Sequence, residues 1–306
     1  MIILLGPQRF RPTVADAMRS VAVRGPVAMI TAGWQERESE DEELRAHLGL
    51  EALNLRLYER CDSIFAEDPE LFSGLRAKQD LLRDLQETYR SRLDHYLGAV
   101  RDLMELDGDP AHLAPEIEDA VRTVRRLDAH HVARVEAVHA EFERRFEPLG
   151  RDAVARQRRE IAESLEGVDA VTLAGGHVAV LVNRLRLLDV APLAQGRHVI
   201  AWSAGAMVLA DRVVVFHDHP PQGAGNAEVL DAGLGLCPGV VPLPHARRRL
   251  RLDDRAGVAR FSRRFEPAAC ITLDDGSRLD WSGGGPGTAR GVSRLAGDGT
   301  VVAVAP

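Results

Sequence analysis

The chain has three cysteines in 306 residues, Cys61, Cys237 and Cys270. A set that is odd in number and widely spaced makes no disulfide framework and has no zinc-ligand spacing. It fits a reducing, cytoplasmic setting. Positive charge is also scarce: 39 Lys and Arg stand against 46 Asp and Glu, a net charge of −7. That argues against nucleic acid as a partner, because binding phosphates needs a basic face. No apolar run approaches the roughly 20 residues of a membrane span. The start, Met1 to Pro7, lacks the basic region of a signal peptide and reads as a first strand. What is present is 45% hydrophobic content, enough to bury a sizeable core.

The pattern along the chain predicts an α/β domain over residues 1–306 with a helical insertion at 64–150. Strands are expected at Ile2–Leu5, Pro26–Thr31, Ala52–Leu57 and Ala170–Leu173. Between them fall helices at Pro12–Val23, Asp41–Leu48 and Val154–Leu165. Such alternation implies a mostly parallel sheet with helices on both faces. In the insertion, Leu75, Leu82, Leu85, Tyr89, Leu93, Tyr96, Val100 and Leu103 mark one apolar helix face. After a break at Asp107-Gly108-Asp109-Pro110, Ile117, Val121, Val124, Leu127, His131, Val135, Val138 and Phe142 mark another. The two helices form an antiparallel hairpin with three candidate uses: packing on its own body, a homodimerisation arm, or a lid. Adjacent His130 and His131 face different directions and read as surface or half-buried residues rather than a chelating pair. The C-terminal part reads as β-rich, with strands at Ala269–Leu273 and Arg278–Trp281. A flexible glycine loop follows at 283–287, then a closing hairpin over Val292–Leu295 and Thr300–Val304 that completes a sheet edge.

The most informative stretch is Val199-Ile200-Ala201-Trp202-Ser203-Ala204-Gly205-Ala206-Met207. An apolar strand breaks at a serine flanked by small residues, and a helix-compatible segment follows. That is the pattern of a nucleophile elbow, in which the hydroxyl is exposed and the next N–H can meet an oxyanion. A serine needs a base, and the base an orienting carboxylate. Val213 to Phe216 run into His217-Asp218-His219, and Gly239 to Leu243 run into Pro244-His245. Asp218 and His245 thus fall at strand ends, where side chains of an α/β sheet converge. Each has a bland reading: Ser203 as a packing residue, Asp218 as a backbone cap or metal ligand beside two histidines, His245 as a loop histidine.

With those pieces in order, the chain resembles the serine peptidase family of aspartyl dipeptidase and cyanophycinase, which has a class I glutamine amidotransferase-like fold. Leu173-Ala174-Gly175-Gly176-His177 resembles the family's Gly-Gly-Asn/Asp segment, and Trp202-Ser203-Ala204-Gly205-Ala206 its elbow. Asp218 falls where the dipeptidases keep the triad acid, and Leu234-Gly235-Leu236 through Pro244-His245 resembles the approach to the triad histidine. Arg249 and Arg251 fit two of the spaced arginines of the cyanophycinase branch. The resemblance implies a Ser203–His245–Asp218 triad, with an oxyanion hole from Gly175, Gly176 and Ala204. Substrate contacts would come from His177, Arg249 and Arg251; apart from the resemblance, Trp34 to Arg37 follow the end of the expected strand Pro26–Thr31 and read either as a lip of the site or as a solvated loop with one packed tryptophan. His177 in place of Asn or Asp, and Leu243-Pro244 before the histidine, are departures that touch specificity more than reaction type.

The expected function is a serine hydrolase of this type, cleaving a small peptide or isopeptide bond without cofactor or metal. Two alternatives stand beside it. One is a non-catalytic scaffold that uses the hairpin to recruit a partner; the other is an esterase or amidase acting on a non-peptide.

Overall fold

The computed structural model describes residues 1–217, 225–282 and 284–304. Its centre is a seven-stranded sheet. Five strands run parallel: β1 (Ile2–Leu5), β2 (Val27–Ile30), β3 (Ala52–Asn54), β4 (Ala170–Leu173) and β5 (His198–Trp202). Their spatial order is β1-β5-β4-β2-β3, which puts β5 in the interior between β1 and β4. Every residue of β2 and β4 is buried, as expected for parallel strands covered on both faces. Leu4, Ile30, Leu173 and Ala201 pack on one side with α3 (Leu57–Glu67), α6 (Asp152–Ser164), α7 (Val178–Leu187) and the short α8 (Val190–Leu193). Ile3, Leu5, Met29 and Trp202 face the other side, toward α1 (Val14–Ser20) and α2 (Glu42–Leu48).

The insertion is two helices of 37 residues each, α4 (Pro69–Glu105) and α5 (Pro110–Phe146), about 55 Å long at 1.5 Å per residue. Both start the same way. Asp68 accepts from the Leu71 N–H and Asp109 from the Ala111 N–H, each with proline as the first helical residue. At the base of the hairpin, a Cβ on Gly74 would come within 2.3 Å of the Phe146 ring, so glycine lets the helices close. Of the three candidate uses, packing on the body is what the structure contains. Tyr89, Leu93, Leu97, Val121, Val124 and Leu127 share a second core with a two-stranded antiparallel ribbon, β6 (Arg212–His217) and β7 (Gly225–Ala232). His131 is more buried than its sequence suggests, at 3% exposure, stacked 4.1 Å from the Tyr89 ring; His130 is exposed.

The C-terminal part splits between two sheets. β10 (Arg278–Ser282) and β11 (Gly285–Arg290) extend the main sheet antiparallel beside β1. β8 (Val240–Pro244), β9 (Ala269–Leu273), β12 (Ser293–Leu295) and β13 (Val301–Ala303) form a second sheet of order β13-β12-β9-β8. The closing hairpin is therefore β12–β13. Two expectations need correction. Gly285 to Gly287 are not a loop but open the edge strand β11, where Pro286 can lack an N–H without breaking a ladder on both sides. The expected strand Ala52–Leu57 stops at Asn54, because Leu57, Cys61 and Ile64 lie on the buried face of α3. β8 carries two prolines, Pro242 and Pro244, and accordingly stands at a sheet edge, with β9 as its one strand partner among the described residues.

Candidate active site

Ser203 follows the interior strand β5 and precedes the short helix α9 (Ala204–Val208). Its backbone sits at φ 52°, ψ −124°, a strained conformation for a residue with a side chain, and one found chiefly at functional sites. Small neighbours make the turn feasible. A Cβ on Gly205 would lie 2.3 Å from the Leu173 carbonyl oxygen, and one on Gly175 would lie 2.8 Å from the Ser203 Cβ. Ala204 is the first residue of α9, so its N–H has no partner within the helix.

His245 ends β8 and is itself in the left-handed region at φ 58°, ψ 34°, its N–H donating to the Leu273 carbonyl at 3.1 Å. Its Nε2 stands 3.4 Å from the Ser203 Oγ. That is long for a hydrogen bond and within the looser geometry of catalytic pairs before substrate binds. The serine comes from the main sheet and the histidine from the smaller one, so the pair spans the junction of the two. Burial holds the His245 imidazole below its ordinary range. The Arg249 and Arg248 charges push the same way, while Asp275 pushes back. Neutral imidazole is the form that can take a proton. Asp218, the expected orienting acid, lies outside the described residues.

A cleft of about 630 Å³ opens over the pair. Gly175 and Gly176 line it beside Ala204, held by contact with the 3₁₀ segment Ala32–Arg37 that follows β2 and is kinked at Gln35. A Cβ on Gly33 would meet the Gly175 oxygen at 2.5 Å, and Gly176, at φ 112°, would meet the Gly33 oxygen at 2.3 Å. The His177 N–H donates to that Gly33 oxygen at 2.7 Å. The N–H groups of Gly175 and Gly176 have no acceptor among the described residues. The three residues expected for an oxyanion hole thus line the same cleft as the serine.

The four expected substrate contacts divide. Trp34 and Arg249 line the cleft. His177 does not; its Nδ1 accepts from the Val180 N–H at 3.3 Å and caps α7. Arg251 lies in a different cleft, of about 650 Å³, between the hairpin, β7 and α11 (Arg255–Phe265). The chain turns extended at Leu250 after α10 (Ala246–Arg249), which carries Arg251 away from the serine. Arg37, expected with Trp34 at the lip of the site, is on the cleft wall, and sequence reasoning missed Gln8, Arg9, Glu40, Glu43, His47 and Val215 beside it. The signal was available for Gln8 and Arg9, which follow the end of β1, where an α/β sheet gathers its site. Arg37 is committed to Glu40, at 2.6 Å. Among the described residues no cluster of metal-ligand type occurs, and no helix is long and apolar enough to cross a membrane.

Comparison with known proteins adds a family. The model of peptidase family S51 matches residues 120–286, more than half of the chain. No curated protein matches. Among solved structures, a peptidase from an acI-B1 Actinobacterium is 15% identical, covering 97% of this chain and 90% of that one, with a TM-score of 0.48. A chain named for peptidase E from Listeria monocytogenes EGD-e is 12% identical, covering 96% and 98%, with a TM-score of 0.43.

Proposed function

The chain belongs to peptidase family S51, and from that premise we propose that it is a serine peptidase cleaving a small peptide or isopeptide bond through an acyl-enzyme. The observation that carries this reading is Ser203, held in a strained strand-to-helix turn with its Oγ 3.4 Å from the His245 Nε2. His245, kept neutral by burial and by Arg249 and Arg248, takes the hydroxyl proton as Oγ bonds to the substrate carbonyl carbon. The oxyanion is met by the N–H of Ala204 and one from Gly175 or Gly176. His245 then gives its proton to the leaving nitrogen, the C–N bond breaks, and water repeats the sequence to release the acid. Asp218 is assigned the orienting role on the family resemblance.

Arg249 and Arg9 on the cleft wall favour an acidic acyl group, since guanidinium pairs bidentately with carboxylate. Aspartyl dipeptides and β-aspartyl-arginine are therefore the first substrates to try, with free aspartate measured beside Ser203→Ala. Release by the wild type alone is the expected result. Equal release by both proteins would overturn the nucleophile assignment. Ester turnover without peptide turnover would move the reading to an esterase, and a silent wild type that still binds a partner through the hairpin would move it to a scaffold.

A further inference from the structure

The β6–β7 ribbon has no third strand among the described residues, and a two-stranded ribbon is marginal alone. Here it forms one wall of the serine cleft. Val215 of β6 lines the cleft, and the Arg249 guanidinium rests over the neighbouring Phe216 ring, 5.8 Å from its centroid. What holds the ribbon comes largely from the insertion. Along β7, Asn226 donates to Asp94 at 2.8 Å. Glu228 accepts from Gln86 at 2.8 Å and from Arg90 at 2.6 Å. The Val229 N–H donates to the Tyr89 hydroxyl at 3.2 Å, and Asp231 pairs with His139 and Arg186, each at 2.8 Å. The Tyr89 hydroxyl is itself fixed, donating to Asp128 and accepting from Arg264. Four β7 residues, Asn226, Glu228, Val229 and Asp231, are thus gripped from the hairpin side, and Glu228 is the register partner of Val215.

We infer that the hairpin is a splint for the active site, and that Gln86 and Arg90, through Glu228, are positioning residues that hold the Val215–Phe216 wall and with it Arg249 against His245. The inference rests on the peptidase reading for its effect on turnover, but its geometry does not. Neither Gln86 nor Arg90 lines the serine cleft. A splint also accounts for two 37-residue helices packed on so small a ribbon, which a decoration need not do.

The test uses the full chain carrying Gln86→Ala and Arg90→Ala together. Arg83→Ala serves as control, because it removes the same charge from the exposed surface of α4, where Arg83 pairs with Asp80. The first readout is the titration of the His245 imidazole by NMR without substrate. His245 faces Arg249 and Arg248 on its own short helix and Asp275 after β9, so a loosened Arg249 lets it titrate at higher pH. The expected result is an upward move in the double variant and none in Arg83→Ala. With it, kcat falls about ten- to a hundred-fold, as misplacement remote from the chemistry can cause, while thermal unfolding stays cooperative. A folded double variant whose His245 titrates as in the wild type overturns the inference. If the double variant does not fold, Glu228→Gln decides: it keeps an acceptor for one N–H and loses the ion pair, and an unmoved titration there overturns the inference equally. A wild type that turns over no aspartyl peptide counts against the peptidase reading, while the titration still reports whether the hairpin sets the surroundings of His245.

Discussion

Two clefts of nearly equal size open on this molecule, about 630 Å³ over Ser203 and about 650 Å³ between the hairpin and α11. Volume does not tell them apart; the state of their groups does. The second cleft is rich in charge, and its most buried charges are matched. Arg90 pairs with Glu228, and Arg264 lies almost fully buried against both oxygens of Asp128. No residue lining it among those described has a positive φ. The first cleft holds Ser203 and His245 at positive φ, Gly176 at φ 112°, and glycine N–H groups without acceptors among the described residues. Strain and unmet hydrogen-bonding capacity mark the place where a substrate completes the structure, as reactive sites require. A cleft whose polar groups already satisfy one another has less to gain from a ligand.

The contrast breaks most easily at the serine. Ser203→Ala is expected to lower kcat by about 10⁴-fold or more, whereas Arg101→Ala in the second cleft should leave kcat/KM within about two-fold, as an exposed surface change does. Comparable losses from both would mean that the wrong cleft has been assigned. Backbone crowding gives the next largest effect. Gly205→Ala drives a methyl against the Leu173 carbonyl oxygen at 2.3 Å, and overpacking of that kind costs about 1–3 kcal/mol. The expected outcome is a lower denaturation midpoint together with weaker turnover, because the elbow must shift to make room. In Gly287→Ala, by comparison, the nearest atom is 3.5 Å away and ordinary contact suffices.

Much of this was legible in the sequence, for a physical reason. The parallel strands are continuous apolar runs whose type does not depend on distant partners, so β1, β2, β4 and β5 read directly. The elbow read too, because Ser203, Ala204 and Gly205 report a steric requirement that is local. What did not read depends on which surfaces meet. The expectation that Arg251 joins Arg249 in one site came from linear spacing, and the turn to extended backbone at Leu250 undoes it. His177 stands after the double glycine where the family pattern has Asn or Asp, and it caps a helix instead of facing the cleft. The separation of β8 from the main sheet was foreshadowed by Pro242 and Pro244, a local cue with a non-local consequence. Nothing in the periodicity of the hairpin could say which strand it grips.

Each region also buries an acid, and the two are handled differently. Asp128 has Arg264 and the Tyr89 hydroxyl. Glu38, at the end of the segment that carries Gly33 and Trp34, is wholly buried with one oxygen accepting from the Tyr58 and Glu59 N–H groups and the other without a partner among the described residues. Burial pushes its carboxyl up from an ordinary 4.5 to about 7, against the opposing pull of those N–H groups. Between those pH values the folded chain keeps a proton that the unfolded chain has released. Stability from this group is therefore lost as pH rises through that window. Glu38→Gln keeps the acceptor and removes the titration. Its denaturation midpoint should match the wild type near pH 4.5 and exceed it above pH 7, by up to about 3 kcal/mol of stability. A difference that stays flat with pH would mean that Glu38 is charged in the folded chain throughout.

The smallest effect concerns the histidine and tests how far the serine cleft depends on an exposed cation. Burial is the larger cause of the depressed His245 titration, and Arg249 is second. Because the base must be neutral, the acid limb of the pH profile of kcat/KM lies below the ordinary imidazole range in the wild type. Arg249→Gln removes the repulsion, so that limb should move to higher pH, and the variant should lose more of its rate at pH 6 than at pH 8. Arg249 is exposed, so its charge is partly screened, and salt should imitate the substitution. Raising ionic strength from 0.01 to about 1 M shortens the screening length from about 30 Å to about 3 Å. In the wild type this should carry the acid limb in the same direction, while in Arg249→Gln salt should move it less. If the limb ignores both salt and substitution, burial alone tunes His245 and the place of Arg249 on the cleft wall belongs to substrate binding. If it responds to both, the same guanidinium sets the base and meets the substrate carboxylate, and binding an acidic group would then raise the basicity of His245 as the reaction begins.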